Sequence, residues 1–445
     1  MKFGNPSEFL LLLAGDVLIL FLSLWLALLA RFLAVPSAEL FSANVGPFAW
    51  LFFITALIFL ISGLYDKHTA LFKEKLPERI FRSQIANAVL GIAFFYFVPT
   101  ASITPKRILF FYIIFSSILL SLWHLYGQLV FVLRKRERAI LIGSGAEYDE
   151  LSAEIKKNAK RYDFTLFKII PFNAAGQDAE QLEKHISSDD VAIVITDTRD
   201  RSLEPLLPAL YALIHRGLRV INFYHLYEQI FDRIPLSVLG YGWAIKNSAR
   251  GTRRMYDFLK RVMDCVAGFV LGFASLVVYP FVILAIKLDD GGPIFIVQER
   301  IGQNNKTIRL YKFRSMKTSD GGRWQTELYD SITRVGRFLR ATRIDELPQL
   351  WSVFSGDLSL IGPRPDIVGL GRELTEKVPY YSVRTIIKPG LSGWAQIKQD
   401  KPPHSVEETK LRLSYDLYYI KHRSLVLDVV IALKTIKTLL SRAGK

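Results

Sequence analysis

Residues 262–288 read VMDCVAGFVLGFASLVVYPFVILAIKL, an apolar run broken late by Tyr279-Pro280. Proline removes a backbone donor and bends a helix. The run is long enough to be one kinked transmembrane helix, since about 20 residues cross a bilayer. It can also be two half-helices that enter and leave by the same face, provided the backbone at the break finds local partners. Charge arbitrates. From Lys287 onward the chain carries 27 Lys+Arg against 17 Asp+Glu, and spanning would put that basic stretch across the membrane. Lys260 and Arg261 before the run, with Lys287 after it, suit two ends at one interface. Re-entry is therefore expected, with Pro280 as the structural break and Lys260 and Arg261 as structural anchors.

The whole chain fits a membrane protein. Of its 445 residues 51% are hydrophobic, the mean hydropathy is +0.24, the formal charge +16 and the pI about 9.7. That length suggests two or three domains. A basic, apolar chain favours anionic lipid or phosphorylated substrates, and no nucleic-acid motif, internal repeat or low-complexity tract is present. The single Cys265 excludes an intramolecular disulfide and leaves no zinc cluster to propose. Residues 1–33 do not read as a cleavable signal, because the apolar stretch is long and no small-residue cleavage site follows.

Four apolar runs fill the first third: Phe9–Leu33, Phe48–Leu64, Ile80–Val98 and Ile108–Leu133. Lys67, Lys73, Lys75 and Arg79 lie between the second and third; Arg134, Lys135, Arg136 and Arg138 follow the fourth. The positive-inside rule puts both groups in the cytoplasm, and Lys106 and Arg107 in the opposite loop are outnumbered. Asp16 falls within the first run, where a bundle-facing structural role is at least as expected as a functional one.

Residues 138–235 alternate strands (Ala139–Ile142, Thr165–Ile170, Val191–Thr196, Arg219–Phe223) with helical patterns at 147–160 and 203–216. That is a βαβ pattern with a parallel sheet. Gly143-Ser144-Gly145 after the first strand hints at a nucleotide site, but Tyr148 stands where the third glycine of the fingerprint belongs. The plainer expectation is a Rossmann-like module for regulation or assembly. A basic linker follows, with Lys246, Arg250, Arg253, Arg254, Lys260 and Arg261. The tail, Leu425–Leu440, sets Lys434 and Lys437 among apolar residues at helical spacing. It reads as an amphipathic helix on the membrane or as a helix closing the domain core.

The chemistry concentrates in Arg343-Ile344-Asp345-Glu346-Leu347-Pro348-Gln349-Leu350. Pro348 suits a first helical turn, so Asp345 can be a cap and Glu346 a complement to the helix dipole. The surroundings argue for more. Arg340 and Arg343 precede the pair, Arg314 sits in Lys312-Phe313-Arg314-Ser315-Met316, and Arg364 in Gly362-Pro363-Arg364-Pro365-Asp366. Arginine gives bidentate phosphate contacts. A carboxylate can attack phosphorus to form an acyl phosphate. A hard cation such as Mg²⁺ would take oxygen ligands and offset a diphosphate's charge.

In this order the run with Pro280, Gln298-Glu299-Arg300-Ile301-Gly302, Lys312-Phe313-Arg314, Asp345-Glu346-Leu347-Pro348-Gln349-Leu350-Trp351, Gly356-Asp357-Leu358-Ser359-Leu360-Ile361-Gly362-Pro363-Arg364-Pro365 and Lys388-Pro389-Gly390-Leu391-Ser392-Gly393-Trp394-Ala395-Gln396 resembles the bacterial sugar transferases. These are monotopic polyprenyl-phosphate phosphoglycosyl transferases, and the resemblance covers about 255–442. The upstream half resembles the long form, with four transmembrane helices and a Rossmann-like domain whose end is matched by Tyr227-Glu228 and Arg233-Ile234-Pro235. The resemblance implies that Asp345 attacks the β-phosphate of a UDP-sugar and expels UMP, and that undecaprenyl phosphate then takes the sugar-phosphoryl group. It implies Glu346 as the Mg²⁺ ligand, and Arg314 and Arg364 as contacts to phosphate or nucleotide. Lys312, Arg343, Arg384 and Gln396 are further substrate contacts. Asp416, in Tyr415-Asp416-Leu417-Tyr418-Tyr419, matches a family acidic position. A homodimer in the bacterial inner (cytoplasmic) membrane, with the catalytic domain on the cytoplasmic face, is also implied. One departure is local: Tyr279 stands where family members often have Ser before the breaking proline.

The expected architecture is therefore membrane α plus α/β. A four-helix transmembrane bundle occupies 1–134, a Rossmann-like parallel α/β domain 135–245 and a basic linker 246–261. A re-entrant Pro-broken helix follows at 262–288, and a membrane-associated α/β catalytic domain at 289–445. Two other functions compete. A membrane-attached nucleotide-sugar dehydratase would use a Tyr-x-x-x-Lys pair, which Tyr256 and Lys260 satisfy by spacing, but no glycine-rich strand–helix start precedes them. A non-enzymatic membrane scaffold would use the same surfaces for docking, and would release no UMP from any UDP-sugar.

Overall fold

The computed structural model describes residues 6–62, 64, 76–97, 105–127, 137–159, 162, 164–171, 191–248, 254–317, 332–399 and 402–440. The chain divides into two compact units, Met1–Phe223 and Tyr224–Lys445.

The first unit begins with helices α1 (Pro6–Phe32), α2 (Ala38–Ile61), α3 (Leu76–Phe97) and α4 (Pro105–Leu122), the last continued by a π-turn over Trp123–Gly127. Leu10–Phe32, Ala38–Leu60 and Arg107–Tyr126 are each long and apolar enough to cross a bilayer. The apolar part of α3 is only Ile80–Phe95, about 24 Å of helix at 1.5 Å per residue against a hydrocarbon core of about 30 Å. Glu78 and Arg79 bound that stretch; within it Ser83 and Gln84 are buried, with Ser83 Oγ 2.9 Å from Ser62 Oγ. Three helices of spanning length, rather than four, are thus present among the described residues. Leu20, Leu24, Leu28, Phe48, Phe59 and Tyr112 form the core between them. Asp16 is buried and receives His124 Nε2 at 2.9 Å, the bundle-facing alternative of the sequence reading. Lys67, Lys73, Lys75, Arg134, Lys135 and Arg136 lie outside the described residues.

Next come β1 (Glu137–Ile142), α5 (Ala146–Lys157), β2 (Phe164–Ile170), β3 (Val191–Thr196), α6 (Leu207–Ile214) and β4 (Arg219–Asn222). The strands form one parallel sheet in the order β2-β1-β3-β4. Ile140, Ile142 and Val194 on one face pack against Leu203, Leu206, Leu210 and Leu213. The helix expected at 203–216 is instead a 3-10 turn, Arg201–Leu206, followed by α6. Pro205 and Pro208 each lack the N–H that a longer α-helix would need there. At the β1–α5 turn Gly145 has φ 121°, open only to glycine. The Tyr148 ring lies directly over Gly143 and stacks on Phe223 with centroids 3.7 Å apart. Tyr148 thereby fills the space that the missing third glycine would leave open.

The second unit contains α7 (Phe223–Phe231, from Tyr224 on), α8 (Tyr241–Ser248), α9 (Arg254–Leu276), α10 (Tyr279–Asp289), the hairpin β5 (Phe295–Ile301) and β6 (Thr307–Phe313), and α11 (Arg334–Thr342). After them come α12 (Gln349–Ser355), β7 (Ser359–Ile361), α13 (Val368–Lys377), β8 (Gly390–Ser392), α14 (Trp394–Lys398), α15 (Val406–His422) and α16 (Leu425–Leu440). β7 and β8 pair in parallel, so closely at Gly362 and Gly390 that a Cβ on either would strike the other's backbone. Residues 224–245, which the sequence reading groups with the α/β domain, pack here. Ile234 is fully buried among Leu374, Tyr381, Leu413 and Leu417, and Glu228 holds Lys421 Nζ at 2.6 Å.

α9 and α10 meet at a 54° bend. Tyr279 supplies no hydroxyl to the broken turn. Ser275 donates to the Gly272 carbonyl at 2.6 Å, Val278 N–H to Ser275 O at 2.9 Å, and Val282 N–H to Val278 O at 3.1 Å. The Tyr279 ring packs edge-on against Phe313 instead, 4.8 Å between centroids. Gly268 and Gly272 let α9 lie against α12, with Gly268 facing the Leu350 and Phe354 backbone and Gly272 facing the Trp351 ring. Lys260 and Arg261 depart from the expectation of interfacial anchors. Lys260 turns inward to Asp428 at 3.2 Å, beside the Tyr256 hydroxyl at 2.9 Å. Arg261 donates to the Val353 and Phe354 carbonyls at 2.9 Å each, satisfying the end of α12. Acceptors within the unit claim both cations, and the exposed stripe of α9 is Met255, Phe258, Val262, Val266, Phe269 and Phe273. At the other end of the bent pair, Asp289 accepts the Val335 N–H of α11 at 2.9 Å. α16 buries Leu427, Asp428 and Ile431 and exposes Val429, Leu433 and Ile436.

Candidate active site

α11 ends at Arg343, which adopts a left-handed conformation (φ 59°). A non-glycine residue there is strained by about 1 kcal/mol or more. The reversal turns the chain into a 3-10 turn, Ile344–Glu346. Ile344 and Leu347 anchor that turn in the cluster with Tyr279, Val282, Phe313 and Leu339. Asp345 is 7% exposed and caps no helix: α12 starts after Pro348 without a side-chain cap. Its Oδ1 is buried with no hydrogen-bond partner. The capping alternative for Asp345 is therefore not what the geometry provides.

Glu346 points the other way, into cations. Its Oε1 receives Arg364 Nη2 at 2.8 Å and Lys312 Nζ at 3.1 Å, with Arg343 Nη1 at 4.0 Å. Burial alone would raise the Glu346 pKa, but Arg364, Lys312 and Arg343 outweigh it and hold the carboxyl well below its usual range. Asp345 goes the opposite way. Burial first, then the Glu346 charge, push its pKa up to about 6, against the pull of Lys312, Arg343 and Arg340. Burial lowers the Lys312 pKa, and Glu346 opposes that. Two adjacent carboxyls thus differ sharply: one fixed as an anion in an ion cluster, the other a desolvated, more basic carboxylate with a bare oxygen.

Lys312, Arg343 and Arg364 therefore gather around the Asp345–Glu346 pair as expected. Three expected contacts do not. Arg314 pairs with Asp290 at 3.1 Å and donates Nε to Met316 O at 3.0 Å, because the Gly291-Gly292 turn brings Asp290 beside it. Gln396 donates to Leu391 O at 3.3 Å and keeps Oε1 buried without a partner. Arg384, 3% exposed, bonds the Asp366 carboxylate, Asp416 Oδ2 at 2.8 Å and the Arg364 carbonyl at 2.8 Å.

That last cluster was not foreseen as a unit. Asp366 also accepts Tyr381 Oη and Arg412 Nη2, each at 2.8 Å. Burial raises the Asp366 pKa, but Arg384 and Arg412 overcome this and hold it at about 2. Burial keeps Asp416 above its ordinary value despite Arg384. The cluster grips the proline-bracketed Arg364 loop from behind. Asp366 beside Arg364 and Asp416 in its family motif hinted at it, and Arg384 was expected only as a substrate contact; Arg412 carried no local signal. Tyr256 and Lys260, the dehydratase alternative, both end on Asp428, which also accepts Tyr419 Oη at 2.6 Å.

Among the described residues no group of three or more His, Cys, Asp or Glu is arranged to hold a metal. The pair nevertheless suits Mg²⁺, which takes one or two carboxylates and completes its shell with substrate phosphates and water. Glu346, whose bonds to Arg364 and Lys312 fall on Oε1, is that kind of donor.

Residues 255–442 match the family described as Bacterial sugar transferase. The chain is 40% identical over 195 residues to the exopolysaccharide production protein PSS of Rhizobium leguminosarum bv. phaseoli, covering 41% of this chain and 96% of that protein. The chain belongs to the bacterial sugar transferase family. It is also 40% identical over 195 residues to the UDP-N-acetylgalactosamine-undecaprenyl-phosphate N-acetylgalactosaminephosphotransferase of Aeromonas hydrophila, covering 43% of this chain and 45% of that protein. It is 30% identical over 327 residues to the undecaprenyl-phosphate glucose phosphotransferase of Komagataeibacter xylinus, covering 68% and 59%. The matched stretches span about half the length of these last two relatives. The match of 327 residues extends well upstream of the family region, and the apolar helices mark a membrane protein.

Proposed function

We propose that the chain transfers a sugar-1-phosphate from a UDP-sugar to undecaprenyl phosphate through a covalent aspartyl intermediate, initiating assembly of a surface polysaccharide. The observation that carries this is the buried, unpartnered Oδ1 of Asp345 beside a Glu346 saturated with cations. The Asp345 carboxylate attacks the β-phosphorus. The bond from that phosphorus to the bridging oxygen breaks, and UMP leaves with the electron pair. A phosphate oxygen of the lipid then attacks the same phosphorus, forming the lipid diphospho-sugar and returning Asp345 as a carboxylate. Desolvation makes Asp345 a stronger nucleophile while leaving it ionised at neutral pH. Lys312 and Arg364 offer positive charge toward the diphosphate, and Arg343, 44% exposed, is placed to meet a phosphate arriving from outside. Glu346 would hold Mg²⁺, which supplies charge neutralisation for the diphosphate when bound, and Asp345 Oδ1 stays free to attack.

The names of relatives support the acceptor: two of them carry undecaprenyl phosphate in their names, with N-acetylgalactosamine or glucose as the sugar. Re-entry of the bent pair fits its fastening. The start of α9 is held by Asp428 and the end of α12, and the end of α10 by α11, so both ends are tied to one unit. The reaction is proposed for the cytoplasmic face of the bacterial inner membrane, beside the apolar stripe of α9. The upstream parallel sheet serves as a Rossmann-like regulatory or assembly module, in a homodimer anchored by the apolar helices.

The test is UMP release from a panel of UDP-sugars by full-length protein in nanodiscs with undecaprenyl phosphate and Mg²⁺. Release with one sugar, absent in Asp345→Asn, supports the reading and identifies the donor. No release from any sugar by folded protein sinks it in favour of a scaffold.

A further inference from the structure

Four aromatic rings form one row where α9 meets α12. Phe269 and Phe273, one turn apart on α9, lie with centroids 4.5 Å apart. Phe269 reaches Phe354 at 5.9 Å, and Phe273 meets Trp351 edge-on at 5.5 Å. Phe269, Phe273 and Phe354 are 47%, 50% and 43% exposed, so each leaves much of its ring open. Gly268 and Gly272 bring α12 close enough for its own rings to join the exposed stripe of α9. The row is therefore a seam built by two helices. A contiguous apolar surface of this kind marks a place where something binds.

One end of the seam is tied to the catalytic turn. Leu347 N–H donates to Ile344 O at 3.1 Å, Leu350 N–H to Leu347 O at 3.1 Å and Trp351 N–H to Pro348 O at 3.3 Å. Six residues of such a path, from Asp345 to Trp351, advance about 9–12 Å at roughly 1.5–2.0 Å per residue. The acceptor in the reading above carries a phosphate that must meet Asp345 and a long apolar tail that must stay out of water. The seam joins those two requirements. We propose that Trp351, Phe273, Phe269 and Phe354 form the binding surface for the polyisoprenoid tail of the acceptor lipid. The assignment rests on the reading of undecaprenyl phosphate as acceptor. Flat, methyl-branched isoprene units lie well on aromatic faces, and covering the open ring area drives the contact. A phospholipid's headgroup gains nothing at Asp345, so a seam that ends at the catalytic turn favours the phosphorylated acceptor over bulk lipid.

The experiment separates the two half-reactions in full-length protein in nanodiscs. Adduct formation on Asp345 is followed with UDP-sugar and no lipid acceptor, and complete turnover at varied undecaprenyl phosphate. In Phe269→Ala/Phe273→Ala the acceptor KM is expected to rise on the order of tenfold, with donor KM, adduct rate and unfolding midpoint unchanged. Phe269→Leu/Phe273→Leu keeps an apolar surface without the rings and is expected between wild type and that pair. Leu284→Ala/Leu288→Ala trims exposed side chains of α10, away from the seam, and is expected to keep the wild-type acceptor KM. An equal rise in both alanine pairs overturns the assignment, because bulk lipid would then be the occupant. A slower adduct step in Phe269→Ala/Phe273→Ala overturns it too, because the rings would then serve the catalytic turn. Wild-type turnover that needs undecaprenyl phosphate, with acceptor KM unmoved in that folded pair, overturns the tail surface alone. Absence of such turnover in wild type overturns the acceptor reading and this assignment with it.

Discussion

Arg364 donates to the same Glu346 oxygen, Oε1, that Lys312 reaches, at 2.8 Å and 3.1 Å. One carboxylate thereby orders two cations brought in by different elements, the end of β6 and the proline-bracketed loop. Glu346→Gln removes the charge that holds both. Donor KM should rise on the order of tenfold and Mg²⁺ dependence should weaken, with stability reduced by about 1–3 kcal/mol from the cations left unpaired. Steady-state kinetics at varied Mg²⁺ and a urea titration check this. Unchanged KM and Mg²⁺ response would separate Glu346 from the donor site.

Asp345 and Glu346 should affect stability against pH with opposite signs. The folded pKa of Asp345 is raised, from 3.8 to about 6. Its contribution is favourable in acid and is lost as pH rises from about 4 through 6. At pH 7 the ionised group costs up to about 3 kcal/mol. Asp345→Asn should therefore raise the unfolding midpoint at pH 7 and lose that advantage near pH 4. The folded pKa of Glu346 is lowered, so its contribution is present above about 4.5 and lost on acidification. Thermal scans of both variants from pH 4 to 8 give the readout. A destabilised Asp345→Asn at pH 7 would restore the capping role.

Arg384 binds both the Asp366 carboxylate and the Arg364 carbonyl, so it acts on the site through the loop. Arg384→Lys keeps a charge for Asp366 but cannot span both acceptors. Donor KM should rise several-fold with kcat nearly retained, while Tyr381→Phe, losing one bond to Asp366, should give a smaller rise. Equal loss of kcat in both, at unchanged KM, would point to direct chemistry by Arg384.

Gly268 lies 3.2 Å, measured from an added Cβ, from the Phe354 backbone nitrogen. Gly268→Leu should prise α9 from α12, lowering activity at least tenfold while the three helices of spanning length keep the chain in the membrane fraction. Gly268→Ala, which needs a shift of only tenths of an ångström, should stay near wild type. Activity and flotation assays report both.

Much of this was legible in the chain. The bend at Pro280, the parallel sheet and the clustering of Lys312, Arg343 and Arg364 about the acidic pair follow from local rules of proline, alternation and charge. Arg314, Arg384, Lys260 and Arg261 misled for one physical reason. A cation's partner is set by the fold, and each had a carboxylate or carbonyl waiting from another segment: Asp290, Asp366, Asp428 and the end of α12. The third apolar run fell short because Glu78 and Arg79 precede it and Arg82 falls within it.

The central claim is a covalent bond between Asp345 and the sugar phosphate. Full-length protein incubated with its UDP-sugar and Mg²⁺, without lipid acceptor, should be quenched, digested and weighed by mass spectrometry. The account predicts that the peptide containing Asp345 gains one sugar-phosphoryl mass, that undecaprenyl phosphate removes it, and that Asp345→Asn never acquires it. Product formation with no adduct at Asp345, or turnover by Asp345→Asn, would contradict the account.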